Sequence, residues 1–554
     1  MKIYKLLATM ILAFIGFNAC GLSDSTEAQE VSISEDTQIE SLGSNSYIKA
    51  NISLGEASKS LYILLSNSAE TATSSSITHN ASSSSLQALL STQAKSLISS
   101  PRAHASERIV NFSKNLKNIL QRSTKRNNQV QTIVKSEDFV GDSTSFCTNI
   151  NEDNRTCIET TEATAKKIIS NISTQQGLKT LNVWVSDDAF DNGSGCVKDY
   201  CVTQEMVDAL ANTFLSTGDS NDIYDWVSAV YGEEWGTTPN TAYIDASNEI
   251  TILLTDIDND NSPNSGVVGF FWGKDNIKII AGTEGSNERI MFYIDSVMFA
   301  NRETGDDIDW EKEIYGTLAH EFQHMIHFYQ KTVLLAQGEA SETWINEMLS
   351  ESTEDLIATK IPYNGPRAVD PLDGSAGEAN NSKGRYPEFN ENNTISLTTW
   401  DSQGYDYSKV SAFGAYLLRN YGGAKVLHDI MHNTFTDKQA VVAAVNSAVN
   451  GSDKTFSNLL SEWGTAVLTS DKENLENTAF YNTGDFTQSN YNDETYQLGS
   501  INFFNYSPQP SIQTSASTVK SEGNYYYKIG DNLTGDVSLS IQSNGQTEAT
   551  LIAK

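Results

Sequence analysis

The segment His320-Glu321-Phe322-Gln323-His324 lies in the second half of the 554-residue chain and governs how the rest of the sequence is interpreted. Residues four positions apart share one face of an α-helix, so both imidazoles can reach one metal ion. Glu321 then lies beside the open position of that metal. With only 7 His in the chain, chance would produce this pattern in roughly one chain per hundred. The segment therefore predicts a metal site on a helix.

The residues around this segment indicate that it is helical. Asp309 can cap the N-terminus, and Glu311 and Glu313 suit the positive end of the helix dipole. Apolar residues recur at spacings of three and four, at Trp310, Ile314, Leu318, Phe322 and Met325. The alternative, a buried helix without a metal, would have to provide internal partners for two imidazoles and one carboxylate.

A catalytic zinc site usually has three protein ligands and a water, so a third ligand is expected. A second helix is predicted from near Ser341, and it carries Glu347, 23 positions after His324. That separation allows a turn and an antiparallel return, which makes Glu347 the predicted third ligand. Glu351, one turn further along, is predicted to accept the other ring N–H of His320. The alternatives for the third ligand are Glu339, Glu342 and Glu354.

These motifs resemble those of the gluzincin zinc peptidases. The segment Trp344-Ile345-Asn346-Glu347 is similar to their Trp-Leu-Asn-Glu signature. Within that group the chain resembles the hyicolysin family of bacterial secreted metallopeptidases, in residues 204–210, 222–226, 232–236, 287–289 and 320–324. The resemblance implies a zinc endopeptidase with His320, His324 and Glu347 as ligands and Glu321 as general base.

The resemblance also implies an α+β fold, in which a small mixed sheet is joined to a helical half that carries the active site. Five segments are predicted along the chain: a signal peptide (1–19), a lipid-anchored tether (20–45), an N-terminal region (46–135), a zinc metallopeptidase domain (136–480) and a C-terminal β-sandwich (481–554). In the N-terminal region, strands precede a Ser-rich stretch at 67–86, interpreted as a linker, and a basic helical stretch at 87–135. The basic stretch is either a pro-segment over an acidic cleft or a solvated helix.

The N-terminus predicts export from the cytoplasm. Lys2 and Lys5 precede twelve apolar residues at 6–17, a pattern typical of a signal peptide and too short to span a bilayer. Phe17-Asn18-Ala19-Cys20 resembles a bacterial lipobox, which implies lipidation of Cys20; cleavage without lipidation is the alternative. The expected location is therefore extracytoplasmic, as a cell-envelope lipoprotein or a secreted protein, with membrane contact through the lipid alone.

Charge and cysteine content narrow the function further. The chain has 37 Lys and Arg against 70 Asp and Glu, a net charge of -33, which argues against nucleic acid as a partner. Cys147, Cys157, Cys196 and Cys201 form an even set, which suits two disulfides in an oxidising compartment. Of three possible pairings, nearest-neighbour pairing of Cys147 with Cys157 and of Cys196 with Cys201 is predicted.

Two further sites are predicted with open alternatives. Tyr407 resembles, in Tyr407-Ser408-Lys409, the Tyr-x-Lys donor of gluzincin aminopeptidases and is the predicted stabiliser of the oxyanion, with Tyr405 as competitor. A predicted calcium site consists of Asp256, Asp258 and Asp260, which offer carboxylate oxygens of the kind that calcium selects. An acidic surface turn is the other interpretation of these aspartates. One catalytic zinc ion is thus predicted, with calcium as an additional candidate cofactor.

The predicted function is a secreted, lipid-anchored zinc endopeptidase that hydrolyses proteins or peptides. The strand at 289–294 is interpreted as a sheet edge along which an extended peptide pairs, which favours internal cleavage. Two alternatives remain: an adhesion or interaction lipoprotein that binds zinc without turnover, and a zinc aminopeptidase. An aminopeptidase needs an acidic anchor for a free amine, and the sequence offers no Gly-x-Met-x-Asn loop for one.

Overall fold

A computed structural model describes residues 27–81, 107–126, 137–302, 309–449, 453–515, 517–543 and 547–554. The strands of the first half are β1 (Gln29–Ser32), β2 (Gln38–Gly43), β3 (Tyr47–Ser53), β4 (Lys59–Asn67), β5 (Thr73–His79), β6 (Ser143–Ile150), β7 (Cys157–Thr174), β8 (Gly177–Ser186), β9 (Glu249–Thr255) and β10 (Gly269–Phe271). Those that follow are β11 (Ile290–Asp295), β12 (Thr487–Tyr491), β13 (Glu494–Leu498), β14 (Thr518–Val519), β15 (Gly523–Leu533), β16 (Asp536–Ser543) and β17 (Thr547–Ala553).

The helices are concentrated in the middle of the chain. They are α1 (Glu107–Arg126), α2 (Gln204–Phe214), α3 (Ile223–Tyr231), α4 (Ser296–Ala300), α5 (Trp310–His327), α6 (Thr343–Ile357), α7 (Tyr386–Asn392), α8 (Gly404–Asn420), α9 (Ala424–His432), α10 (Lys438–Ala448) and α11 (Phe456–Leu468). The predicted α+β class is confirmed. In the described part of the chain, each helix is too short or too polar to cross a lipid bilayer.

A six-stranded mixed sheet supports the helical half. Its order is β10-β11-β9-β8-β7-β6, with β8, β9 and β11 parallel and the others antiparallel to their neighbours. The parallel strands β8, β9 and β11 are buried along most of their length, as is typical of parallel strands, and α5 packs against β10 and β11. The strand at 290–294 is therefore interior, and β10, not β11, is the edge strand beside α5. The prediction of an edge at 289–294 is wrong by one strand.

Strands from both ends of the chain form one β-sandwich. One sheet has the order β1-β3-β16-β5-β14 and the other β15-β4-β17-β2, and the two share an apolar core. Residues 29–43, predicted as a tether, form β1 and β2, and the predicted Ser-rich linker contains β5. The sandwich is therefore not the C-terminal segment alone: β4 lies between β15 and β17, and β3 pairs with β16.

The alternation along β4 explains how the sandwich joins the helices. Leu61, Ile63 and Leu65 face the core between the two sheets. Tyr62 and Leu64 point the other way, into the large core of the helical half, where α11 packs on this sheet. A strand that is covered on both faces is apolar at consecutive positions, and β4 has such a segment at 61–65.

Both predicted disulfides are confirmed. Cys147 is bonded to Cys157 across the β6–β7 hairpin, and Cys196 is bonded to Cys201 in the loop before α2. Cys20 and the predicted signal peptide at 1–19 lie outside the described residues.

Candidate metal centre

Helix α5 presents the sequence motif to the interior. Its N-terminus is capped by Asp309, as predicted, and its apolar face is buried around Phe322, which packs against Phe214 and Tyr224. On the opposite side of the helix, the rings of His320 and His324 lie with centroids 4.8 Å apart. The helical spacing of the motif therefore produces the pair of imidazoles that the sequence indicates.

Glu347 on α6 completes a group of three potential ligands. Its Oε2 lies 3.4 Å from Nε2 of His320 and 3.4 Å from Nε2 of His324. Burial raises the pKa of Glu347, but the neighbouring His324 and His320 outweigh that effect and lower the pKa to about 2. The antiparallel return of α6 thus brings the predicted third carboxylate to both imidazoles as an anion.

Glu354, not Glu351, holds the other nitrogen of His320. The Oε1 of Glu354 lies 2.8 Å from Nδ1 of His320, and Tyr363 donates a 3.0 Å hydrogen bond to Oε2 of Glu354. The prediction for Glu351 is therefore corrected: its carboxylate pairs with Arg385, with Nε 2.9 Å from Oε2 and Nη2 2.5 Å from Oε1. Both Glu residues lie on the same face of α6, and the crossing with α5 selects the one that is a turn further along.

A glycine in α5 makes room for this arrangement. A Cβ on Gly316 would lie 2.7 Å from the ring of Tyr363. Any larger residue at this position would push away the tyrosine that donates to Glu354. Glycine at 316 thus keeps Tyr363 in place, Tyr363 donates to Glu354, and Glu354 orients the ring of His320.

The second imidazole is oriented by a shorter chain of contacts. Ser350 donates a 2.5 Å hydrogen bond to Oε1 of Gln323, and its oxygen lies 3.1 Å from Nδ1 of His324. Since the hydroxyl hydrogen is committed to Gln323, the oxygen accepts from Nδ1–H of His324. Nε2 of His324 then carries the lone pair on the side where Glu347 lies.

Glu321 is fully buried at the wall of a cavity beside these ligands. Burial raises its pKa to about 7, although His320 and His324 act in the opposite direction. The same cavity is lined by His324, Glu347 and the edge-strand residues Phe270 and Phe271. A carboxyl group with a pKa near neutrality can both accept and return a proton, which suits a general base.

The residues present fit a zinc ion. A tetrahedral zinc at about 2.0–2.1 Å from each ligand places the ligand atoms roughly 3.3–3.4 Å apart. Two of the three separations in the group of His320, His324 and Glu347 are 3.4 Å, and all three atoms lie within 4.8 Å of one another. Two imidazoles and a carboxylate are a donor set found in catalytic zinc sites. A second group, His320 with Glu351 and Glu354, meets the same distance limit within the described residues, but its carboxylates already bind Arg385 and Nδ1 of His320.

Tyr407 does not line this cavity. Its side chain is buried, with the ring 5.4 Å from the guanidinium of Arg385 and 5.0 Å from the ring of Trp400. The Tyr-x-Lys resemblance therefore identifies a tyrosine that packs behind the Glu351–Arg385 pair. His327, by contrast, does line the cavity, and its Nε2 lies 2.9 Å from the hydroxyl of Ser341.

The calcium prediction is not supported. Asp256 pairs with Lys198 at 2.6 Å, Asp258 pairs with Arg108 at 3.0 Å, and Asp260 accepts from the main chain of Ser262. Each carboxylate thus has its own partner, and among the described residues this cluster does not bring three ligand atoms together. The acidic-turn interpretation accounts for these residues.

Sequence reasoning missed one contributor to the site and left the role of another open. Arg385 lies in the loop before α7, and nothing in its local sequence indicates that it reaches Glu351. Helix α1 belongs to the basic stretch that was interpreted either as a pro-segment over an acidic cleft or as a solvated helix. In the structure its residues Ile109, Val110, Ser113 and Lys114 line the cavity together with Glu321.

Comparisons with known proteins place the chain in a family. The family model described as peptidase M30 matches residues 160–522. The chain is 24% identical over 277 residues to the neutral metalloprotease ShpI of Staphylococcus hyicus, covering 49% of this chain and 53% of the relative. The chain thus spans about half the length of that curated relative.

Two solved structures are weakly similar. One is an M1 zinc metallopeptidase mutant from Deinococcus radiodurans, with 12% identity, coverage of 58% and 61%, and a TM-score of 0.29. The other is an aminopeptidase N family protein from Idiomarina loihiensis, with 13% identity, coverage of 54% and 46%, and a TM-score of 0.27.

Proposed function

The chain belongs to the peptidase M30 family, in agreement with the hyicolysin resemblance of its sequence, and we propose that it is a zinc-dependent endopeptidase acting outside the cytoplasm. One observation carries the proposal: Nε2 of His320 and Nε2 of His324 each lie 3.4 Å from Oε2 of Glu347, next to the buried carboxyl group of Glu321. His320, His324 and Glu347 are the proposed ligands.

The roles of the residues follow from their positions. A bound zinc ion supplies a water of lowered pKa and polarises the scissile carbonyl. Glu321 accepts the proton of the attacking water and returns it to the leaving amine nitrogen. Glu354 and Ser350 fix the ring orientations of the two histidines through the nitrogens that do not face Glu347.

The position of β10 supports cleavage within a chain. This strand is the edge of the six-stranded sheet, and Phe270 and Phe271 line the cavity beside Glu321. An extended peptide can add to such an edge by main-chain hydrogen bonds, with its chain continuing past the site at both ends. The substrates we propose are therefore extended segments of proteins or peptides.

The carboxylates of the cavity argue against an aminopeptidase. Among the described residues that line it, the acidic ones are Glu321 and Glu347, and both have roles at the metal. A third acid, which would bind a free amine, is not among them. Equal hydrolysis of N-acetylated and free peptides is the expected result, and a strict need for a free amine would sink the endopeptidase assignment.

Two features support action outside the cytoplasm. Disulfides such as those at Cys147–Cys157 and Cys196–Cys201 form in oxidising compartments. The N-terminal sequence adds a predicted signal peptide and Cys20 as a proposed lipid attachment site. Metabolic labelling with a fatty acid should mark the wild type and leave Cys20→Ala unlabelled; label on both would contradict lipidation at Cys20.

The decisive variant is Glu321→Gln, which keeps the shape of the side chain and removes the base. We expect it to bind about one zinc per chain, as the wild type does, and to cleave casein roughly 10²–10⁴-fold more slowly. Glu311→Gln is the matched control, because it makes the same change on α5 away from the cavity. Zinc binding by both proteins without cleavage by either, even after limited proteolysis to release a pro-segment, would favour the alternative, a zinc-binding lipoprotein without turnover.

A further inference from the structure

Helix α1 closes the cavity that is lined by Glu321 and by two of the proposed zinc ligands, His324 and Glu347. Ile109, Val110, Ser113 and Lys114 form part of the wall shared with Glu321, His324 and Glu347. With α1 in place the cavity has a volume of about 70 Å³, whereas pockets that bind drug-sized ligands have roughly 300–1,000 Å³. A peptide in extended form does not fit into that space.

The contacts of α1 with the body are those of a docked helix. Leu116 is fully buried, and the ring of Phe112 meets that of Trp272 edge to face at 6.3 Å. Two ion pairs connect the helix to acidic residues on either side: Arg108 with Asp258 at 3.0 Å and Lys117 with Glu339 at 3.4 Å. The helix is thus held by an apolar face and by complementary charge.

The charge of α1 is opposite to that of the protein. Its twenty residues contain six basic and one acidic side chain, a formal charge of +5, in a chain of net charge -33. Such a segment is attracted to the acidic body. Its helical backbone also presents no extended strand to β10, so the helix covers the site without occupying it as a substrate does.

We propose that α1 is an intramolecular inhibitor, which must leave the cavity before a substrate can bind. This inference rests on the proposed peptidase function. Among the described residues α1 takes part in no strand pairing, so its displacement leaves the described sheets paired. By contrast, β4 lies between β15 and β17, and removing β1–β5 would disrupt both sheets of the sandwich. The inhibitor is therefore α1 alone, not the whole N-terminal region.

Charge reversal at the two ion pairs tests the proposal. In the full chain, Arg108→Glu with Lys117→Glu replaces two attractions by repulsions. Lys117 is exposed, whereas Arg108 is 20% exposed and its guanidinium also lies 5.7 Å from the ring of Trp272. We expect short quenched peptides to be hydrolysed about tenfold faster, because the docked helix loses two attractions and gains two repulsions. Lys425→Glu is the matched control, because it breaks a similarly exposed pair with Asp429 on α9, and it should leave the rate unchanged.

A second readout does not depend on zinc or on turnover. Thr343 lines the cavity, and Thr343→Cys introduces a thiol whose alkylation can be followed by peptide mass spectrometry. The charge-reversed helix should raise the alkylation rate about tenfold as well. Faster alkylation without any hydrolysis would support displacement of α1 while contradicting the peptidase function. Unchanged alkylation in a variant that unfolds at the wild-type temperature would overturn the proposal, whatever the activity.

Replacement of the helix separates α1 from the rest of the N-terminal region. A chain in which residues 107–126 are replaced by a Gly/Ser segment of equal length should fold and should cleave the short peptide at least as fast as the charge-reversed variant. Lys117→Glu alone serves as the milder variant, with a smaller increase of the same sign. A folded replacement chain with wild-type alkylation at Thr343→Cys would contradict inhibition by α1.

Discussion

The helical half around the metal centre and the β-sandwich are both well packed, but different interactions hold them together. In the helical half, buried ion pairs connect α6 to its neighbours: Glu351 pairs with Arg385, and Asp355 pairs with Arg419. A third buried pair, Asp406 with Lys409, lies within α8, and all of these side chains are at most 5% exposed. In the sandwich the interior is apolar, and ion pairs such as Lys528 with Asp531 lie at the surface. Charge is thus buried where the proposed chemistry takes place.

The two kinds of interaction have different roles: the buried ion pairs of the helical half shape the site, and the apolar interior of the sandwich stabilises the fold. Buried ion pairs cost desolvation energy and are often no more stable than apolar replacements. Around α6 they fix the helix that carries Glu347, Ser350 and Glu354, so their cost is offset by a defined site. The sandwich gains its stability from apolar burial and from strand ladders, and it carries no part of the site in the described residues.

The largest effect is expected from breaking one buried pair. Glu351→Met leaves the guanidinium of Arg385 buried without its carboxylate partner, which should lower the free energy of unfolding by about 3–5 kcal/mol. Urea denaturation measures this loss.

The matched variant for that prediction removes both charges. Glu351→Met combined with Arg385→Met should recover most of the lost stability, because neither charge is then left unpaired. A double variant as unstable as the single one would show that shape at these positions matters more than charge.

The corresponding change in the sandwich removes apolar volume. Leu551 is fully buried in β17 between the two sheets, and Leu551→Ala should cost roughly 2–5 kcal/mol through lost burial and the remaining cavity. Zinc affinity, measured by chelator competition, should remain at the wild-type value. A coupled loss of zinc affinity would contradict the separation of the two regions.

A smaller effect is expected at the carboxylate behind His320. Glu354→Gln removes the charge that accepts from Nδ1, and it should weaken zinc binding about 10–100-fold. Tyr363→Phe keeps Glu354 and removes the hydrogen bond to its Oε2, together with a 3.3 Å contact to Glu313, so its effect on zinc binding should be weaker. If Glu351→Gln weakened zinc binding more than Glu354→Gln, the assignment of Glu354 would be wrong.

The smallest effect concerns pH and a buried amine of the helical half. Lys331 donates to the carbonyl oxygens of Ile430 and Asn433, and burial lowers its pKa to about 8. The folded protein binds this proton less tightly than the unfolded chain, so the contribution to stability increases as the pH rises through 8. Between pH 7 and 9 we expect a gain of roughly 1 kcal/mol.

Lys331→Met tests that pH dependence. In urea denaturation at a series of pH values, this variant should lack the increase in the free energy of unfolding between pH 7 and 9. This holds whether or not the substitution changes the absolute stability. An unchanged slope would show that another group titrates in this range.

The parts of the site that follow from local sequence were predictable. His320, Glu321 and His324 are fixed relative to one another by helix geometry, and Asp309 marks where that helix begins. Glu347 was also predictable, because it lies on the next helix and a single reversal of the chain brings that helix back to the histidines. The disulfide pairing was also predictable, because each pair closes a short loop.

The remaining features depend on contacts that the local sequence does not encode. Glu351 and Glu354 share one face of α6, and only the crossing with α5 decides which of them meets His320. Likewise, β4 pairs with β15 and β17 across most of the length of the chain. Short alternating segments indicate strands but not their partners, so the two ends were predicted as separate regions.

The central claim is that zinc binds between His320, His324 and Glu347. Anomalous diffraction at the zinc edge, from crystals of the zinc-loaded protein, tests it most directly. The account predicts one peak next to Nε2 of both histidines and Oε2 of Glu347. A peak on the Nδ1 side of His320, between Glu351 and Glu354, or no peak at this helix pair, would contradict it.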